Sequence, residues 1–356
     1  MRSLLLVLLL AACGDDSAAP ALDASLDVSL DAAADAATDD ASPDSASDAA
    51  IDAPDAAVPG FLARYPIDNR FPEGGTYHAP SRRFFVSSLE GAAIAALDAE
   101  TGEESVFASP EDAGLVAEGA WWTLGLDTRE NTLAVCAMDD RREVTEDEPP
   151  FDGYIWEFDV ADGSLLRNID LGSIRDDATC TDVIYGSDGS LYVSDRENPR
   201  IYRIDSSDVG SVVVEDDVLA GGLAGQNALV LLPDETALLS IVYLPSRLVY
   251  VDLAEGSARE VDIDGDFLDA VPPLSGADGM VWEDGGVWVM FTSELTRVTP
   301  LLGDWSRATS TSVDVPAGMT DVVATPGGLY LLNGQAVQFA LGQSPDPFAL
   351  VRYEGE

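Results

Sequence analysis

The side chains of this sequence that can do chemistry are mostly carboxylates. Aspartate and glutamate supply 65 of 356 residues, against 18 arginines, no lysine and one histidine, His78. Without lysine there is no P-loop lysine, no Schiff base and no kinase-type lysine. One histidine rules out a multi-histidine zinc site and leaves a Ser-His-Asp triad, or a cysteine nucleophile, only His78 as base. The formal net charge of −47 would repel phosphate backbones, so nucleic acid is excluded as a partner. A hard cation held by oxygen ligands is what this composition favours. Of the three thiols, Cys136 and Cys180 suit either one disulfide in an exported protein or two buried free thiols.

The acidity is unevenly spread. Met1-Arg2-Ser3 precedes an apolar run from Leu4 to Leu10, which ends in Ala11-Ala12-Cys13. One positive charge, a short apolar stretch and small residues describe a signal peptide, too short to span a bilayer. The ending resembles a bacterial lipobox, which implies cleavage before Cys13 and lipid on that thiol; an incidental cysteine is the alternative. Residues 14–59 hold twelve Asp, sixteen Ala and no basic residue. Asp at 23, 27, 31, 35 and 39 would stack like charges on one helical face, and there is too little apolar bulk to pack. This reads as a disordered, charge-stiffened tether. A calcium-binding repeat would need glycine turns that the segment lacks. The expected organisation is a signal peptide over 1–12, a tether over 13–59 and one folded domain over 60–356, which keeps a net charge of −36.

The elements that must position any site are short strands. From residue 61 on, β-branched and aromatic runs alternate with Gly and Asp turns, and the pattern recurs. Strand starts fall at 71–77, 123–127, 181–184, 226–230, 277–281 and 319–323, each followed by further strand-like runs. Six copies of roughly 43 to 57 residues fit four-stranded propeller blades. The predicted fold is all-β, a six-bladed propeller in one domain, with no amphipathic helix of useful length. A shared blade should close the ring, through residues 61–67 or 348–353.

The array resembles the SMP-30/gluconolactonase superfamily of six-bladed propellers, and also NHL-repeat propellers. The first resemblance implies a calcium ion on the propeller axis, held from the starts of inner strands. The matching pieces are Pro72-Glu73-Gly74, Gln226-Asn227-Ala228 and Ala277-Asp278-Gly279-Met280. They imply Glu73, Asn227 and Asp278 as metal ligands, and Asp278 as the catalytic carboxylate that activates water or attacks a carbonyl or phosphoryl centre. Convergence of these oxygens with no basic residue beside them calls for Ca²⁺ or another divalent cation. Where the family's lactonases hold substrate with an asparagine, this chain has Thr181-Asp182, and Ala228 stands where glycine is usual. Thr181 and Asp182 become the expected substrate-binding pair, with the substrate class in doubt. The alternatives are a turn residue at Glu73, a strand-start cap at Asn227 and an Asp-Gly turn at Asp278.

In the third copy, Asp195, Asn198 and Arg200 follow the NHL pattern and are expected to brace the blade. The polar insertion 139–152 should emerge on the face where inner strands begin, as a solvated loop or a lid. Trp121 and Trp122 are expected to pack between blades. Two functions follow. The first is a lipid-anchored propeller of the bacterial cell envelope, monomeric, binding calcium and hydrolysing a lactone or ester. The second is a non-enzymatic NHL-like propeller that binds an envelope protein.

Overall fold

Short apolar runs between Asp and Gly turns fold as strands because their side chains must be buried on both faces of a thin sheet. In a computed structural model the described residues are 60–356, without 69–70, 112–113, 115–119, 142–150, 223, 266, 268–275, 302 and 356. The expected signal peptide, lipidated Cys13 and tether lie outside them. All described residues belong to one compact unit.

Among them are twenty-five strands in six sheets. Strand β1 (Arg64–Ile67) comes first. Blade one is β2 to β5 (Gly75–His78, Arg83–Val86, Ile94–Asp98, Glu104–Ala108). Blade two is β6 to β9 (Ala120–Arg129, Thr132–Asp140, Phe151–Asp159, Leu165–Asp170). Blade three is β10 to β13 (Val183–Tyr185, Leu191–Ser194, Arg200–Ile204, Gly210–Glu215). Blade four is β14 to β17 (Ala224–Leu231, Ala237–Leu244, Arg247–Asp252, Ser257–Glu260). Blade five holds β18 to β22 (Asp262–Asp264, Ala277–Glu283, Gly286–Phe291, Glu294–Pro300, Arg307–Asp314), and blade six β23 to β25 (Met319–Thr325, Gly328–Asn333, Phe348–Arg352). Consecutive strands of a blade pair antiparallel; the exception is β18, which adds parallel to the outer edge of β22.

The innermost strands β2, β6, β10, β14, β19 and β23 neighbour one another in that order, and β23 returns to β2. The fold is therefore the expected six-bladed propeller. Both candidate closing segments take part in closure, as partners: β1 is the outer strand of blade six and pairs antiparallel with β25, Tyr65 opposite Leu350.

The core lies between blades. Tyr65, Phe84 and Tyr330 are fully buried where blades six and one meet, with ring centroids 5.0 to 5.6 Å apart. Tyr65 donates its hydroxyl to Ala99 O at 2.6 Å and accepts from Leu62 N–H at 2.8 Å. Trp121 and Trp122 pack mostly within their own blade, the first against Tyr154 and Trp156, the second against Phe151 and against Phe339 from outside it. Phe339 belongs to a six-residue helix, α1 (Ala336–Leu341), between β24 and β25. Each such large side chain contributes about 1.5–3 kcal/mol of burial. Cys136 on β7 and Cys180 just before β10 form a disulfide, with Cα atoms 5.9 Å apart, which ties blade two to blade three.

Candidate functional site

Inner strands carry β-bulges at one level, and these decide which side chains face the axis. On β14 the register passes from Gln226 opposite Val242 to Leu229 opposite Ser240. On β19 it passes from Ala277 opposite Phe291 to Met280 opposite Val289. Each slip leaves one residue in excess, at Asn227-Ala228 and at Asp278-Gly279. A bulge re-aims a side chain that regular alternation would send into the sheet face. β6 has the same slip at Leu124-Gly125, where the side chain is a fully buried leucine. Glu73 stands at the corresponding place just before β2. Beside it, Gly74 N–H is held by Ser87 Oγ at 2.8 Å.

These positions converge on an axial channel of about 350 Å³ lined by Glu73, Asn227 and Asp278, with Thr181 and Asp182. Asn227 Nδ2 donates to Asp278 Oδ1 at 2.6 Å. Burial drives both carboxyls toward the neutral form. Glu73 is raised well above the usual range by burial and then by the charges of Asp278 and Asp321. Asp278 is raised to about 7, with the Asn227 bond opposing. The positive charge of Arg196, which is not among the residues lining the channel, opposes burial at both carboxyls.

Deeper carboxylates have a different task. Asp127, Asp182 and Asp321 each accept their own following amide and one amide of the next blade. For Asp182 these are Val183 N–H at 2.8 Å and Leu229 N–H at 2.7 Å. For Asp321 they are Val322 N–H and Gly75 N–H, both at 2.7 Å. For Asp127 they are Thr128 N–H at 2.7 Å and Tyr185 N–H at 2.9 Å. These carboxylates stitch blades two to three, three to four and six to one. Burial pushes Asp127 up to about 6, Asp321 to about 7 and Asp182 to about 8.

Strand starts also repeat with a period of three blades: Glu73 answers to Asn227, Leu124 to Asp278, and Thr181-Asp182 to Thr320-Asp321. Gly125 lies against Asp182 and Gly279 against Asp321, and a Cβ on either would overlap that carboxylate. Asp182 thus lines the channel with both oxygens engaged by backbone. Thr181 is 1% exposed, and its hydroxyl has no partner among the described residues. Sequence reasoning passed over Asp321, Asp127 and Arg196; the Thr320-Asp321 repeat of Thr181-Asp182 was the available signal for the first.

Other candidates fall elsewhere. His78 is buried, with Nδ1 2.8 Å from Ser81 Oγ and Nε2 on Glu130 O, outside the channel lining. Asp195 is fully buried and accepts from Thr179 and Tyr202 hydroxyls at 2.6 Å and from two amides, which gives it the expected bracing role. Asn198 bonds to it, and Arg200 pairs with Asp177 at 2.8 Å. Of the 139–152 insertion only the ends are described; Asp140 lies opposite both Ala120 and Phe151, so it leaves from the end where β6 begins.

The donor set of the trio fits a hard divalent cation. Two carboxylates and an amide oxygen are the ligands such ions take. The amide of Asn227 offers nitrogen or oxygen to Asp278 with the same heavy-atom shape, so turning it places a second oxygen there. Among the described residues no three Asp, Glu, His or Cys side chains form a cluster of their own.

Fold and channel together define a six-bladed propeller with an acidic axial site. The sequence model of the SMP-30/gluconolactonase/LRE-like region matches residues 71–324, and the chain belongs to that family. No curated protein matches the chain. Solved structures share the fold at low identity. The allergen Mala s 1 of Malassezia sympodialis is 15% identical over 82% of this chain and 96% of its own, with a TM-score of 0.62. A gluconolactonase of Xanthomonas campestris is 14% identical over 81% and 88%, with a TM-score of 0.55. Regucalcin of Agrobacterium tumefaciens, described as a calcium-binding protein, is 17% identical over 82% and 93%, with a TM-score of 0.52.

Proposed function

We propose that this propeller is a calcium-dependent hydrolase of a lactone or ester, held at the bacterial cell envelope by lipid on Cys13. The observation that carries the reading is that Glu73, Asn227 and Asp278, from three different blades, line one channel on the axis. In this reading Glu73, Asn227 and Asp278 hold the ion through oxygen. When bound, it supplies a Lewis acid for a carbonyl and a charge that favours ionised carboxylates. Asp278 in its ionised form takes a proton from water. Asn227 orients it through the 2.6 Å contact. Thr181 borders the channel where substrate enters, while Asp182 fixes the wall behind it.

Thermal unfolding of the protein with calcium and with a chelator tests the ion: the midpoint rises with calcium, and no shift counts against it. Hydrolysis of a lactone panel by the native protein and by Asp278→Asn tests the chemistry: the substitution abolishes turnover, and equal rates would sink the reading. A second reading, a non-enzymatic binding propeller, draws on the engagement of Asp182 by backbone where lactonases hold substrate with an asparagine. It predicts retention of one envelope protein with no turnover on any lactone or ester.

A further inference from the structure

The three axial side chains are not held alike. Asn227 and Asp278 stand within strands, β14 and β19, whose ladders fix the backbone on either side of them. Glu73 precedes its strand, since β2 begins at Gly75, and no ladder pair includes it. The approach to Glu73 is also strained. Phe71 has a φ of 47°, in the left-handed region that a bulky side chain rarely occupies. Such a backbone persists only where its surroundings enforce it.

The enforcing contacts come from blade six. Of the connections between the second and third strands from the axis, the one from β24 to β25 is the longest. It spans 334–347, against 87–93, 141–150, 195–199, 245–246 and 292–293 in the other blades. It carries α1 and folds over the approach to blade one. Phe339 of α1 sets its ring 5.0 Å from that of Phe71 and 6.2 Å from that of Trp122, near the start of β6. Phe348, where β25 begins, meets Phe71 at 5.3 Å. Ahead of the helix, a Cβ at residue 334 would overlap Pro72 O and Thr320 Oγ1, so this loop lies directly on the residue before Glu73. On the other side, a Cβ at residue 74 would stand 2.8 Å from Leu124 O. The loop is itself fixed. Gln335, 2% exposed, donates to Asn333 Oδ1 at 2.7 Å and to Asp346 O at 3.0 Å, and accepts from Asp346 N–H at 2.8 Å. No residue of 334–347 lines the channel, so its contact is with the chain that carries Glu73 and not with the axis.

We infer that the β24–β25 loop is a clamp that positions Glu73 for the axial cation, with Phe339 and Gly334 as its two points of grip. Phe339 holds the ring of the strained Phe71, and the bare backbone at Gly334 lets the loop close on Pro72. Neither residue touches the ion. They act on it by fixing where the Glu73 carboxylate stands, and a metal's affinity depends on the groups that orient its ligands. Two of the three ligands take their place from their own blades, whereas the third takes it from a neighbour. The inference rests on the cation part of the proposed function and not on the hydrolysis.

Calorimetric titration of the protein with calcium, after chelation and without substrate, tests the clamp. Phe339→Ala weakens calcium binding at least about tenfold, the loss usual when a group that orients a metal ligand is removed. Phe339→Leu, which keeps an apolar side chain against Phe71, restores part of it. Gly334→Ala weakens binding by pushing on Pro72 with Phe339 left in place, and it serves as the second test where Phe339→Ala does not fold. Val249→Ala is the control. It cuts a fully buried side chain in blade four, outside the channel lining, and binds calcium as the native protein does although its unfolding midpoint falls. Native affinity in both Phe339→Ala and Gly334→Ala overturns the inference and leaves the hydrolase reading intact. An equal loss in Val249→Ala also overturns it, because affinity then follows stability alone. Absence of calcium binding by the native protein removes the reading and the clamp together. The expected pattern of affinities with no turnover on any lactone or ester leaves the clamp standing and removes the hydrolysis.

Discussion

Truncation of Asp182 to alanine tests whether the deep carboxylates are braces between blades. The carboxylate holds Val183 N–H at 2.8 Å and, across the gap to blade four, Leu229 N–H at 2.7 Å. Removing it strands two amides in the interior, at about 1–3 kcal/mol each, or about 2–6 kcal/mol together. Against that loss stands the burial of the carboxyl itself. Its pKa is about 8 in the fold and about 3.9 in an unfolded chain. Below pH 4 it is protonated in both states and adds no pH dependence. Above that, the unfolded chain releases a proton that the fold retains, so stability falls by up to about 1.4 kcal/mol per pH unit until about pH 8. By pH 7 this accumulates to as much as about 4 kcal/mol, a penalty the alanine variant escapes. Asp182→Ala should therefore cost about 2–6 kcal/mol at pH 4 and little at pH 7. Urea unfolding of both proteins in chelator across this range measures the difference, in which the exposed carboxylates largely cancel. A cost that is constant with pH, or that grows toward pH 7, refutes the reasoning.

Three further outcomes are expected. Replacing Cys136 and Cys180 together by serine should lower stability by about 4 kcal/mol, given the 44-residue separation; denaturation curves that coincide with the native ones would show that the bond contributes nothing. Gly279→Ala puts a Cβ 2.6 Å from Asp321 Cα, so it should destabilise by about 1–3 kcal/mol and shrink the calcium-dependent thermal shift; an unchanged shift would detach this glycine from the site. Tyr65→Ala removes a fully buried ring and two hydrogen bonds at the closure of the ring, for about 3–5 kcal/mol in urea unfolding, and should speed proteolytic nicking near residue 64; a midpoint within error of the native one would contradict the closure.

How much could be read beforehand follows from what makes each feature. Inner strands were legible because each begins with small or polar residues before an apolar run, as at Thr181-Asp182-Val183-Ile184. Strand β18 was not, since Asp262-Ile263-Asp264 is only three residues long with a single apolar side chain. It is held instead by Arg307, which meets Asp262 at 3.3 Å and Asp264 at 2.6 Å. The trio was legible through repeat position, yet the bulges that turn Asn227 and Asp278 to the axis arise from strand register, which no residue type announces. Arg196 was hidden inside a run that reads as bracing. Its neighbours Asp195, Asn198 and Arg200 do brace, whereas Arg196, among the described residues, makes only a long pair to Glu197.

The placement of β1 has a mechanical side. It is a strand of four residues, bonded on one edge to β25 and free on the other. A pull transmitted along the chain from residue 60 loads that seam before any other blade edge, and the four paired positions from Arg64 to Ile67 bear it together with the hydroxyl bonds of Tyr65 to Ala99 O and of Tyr330 to Leu62 O. The ring should give way there first, as a clasp does, while the remaining blades stay intact.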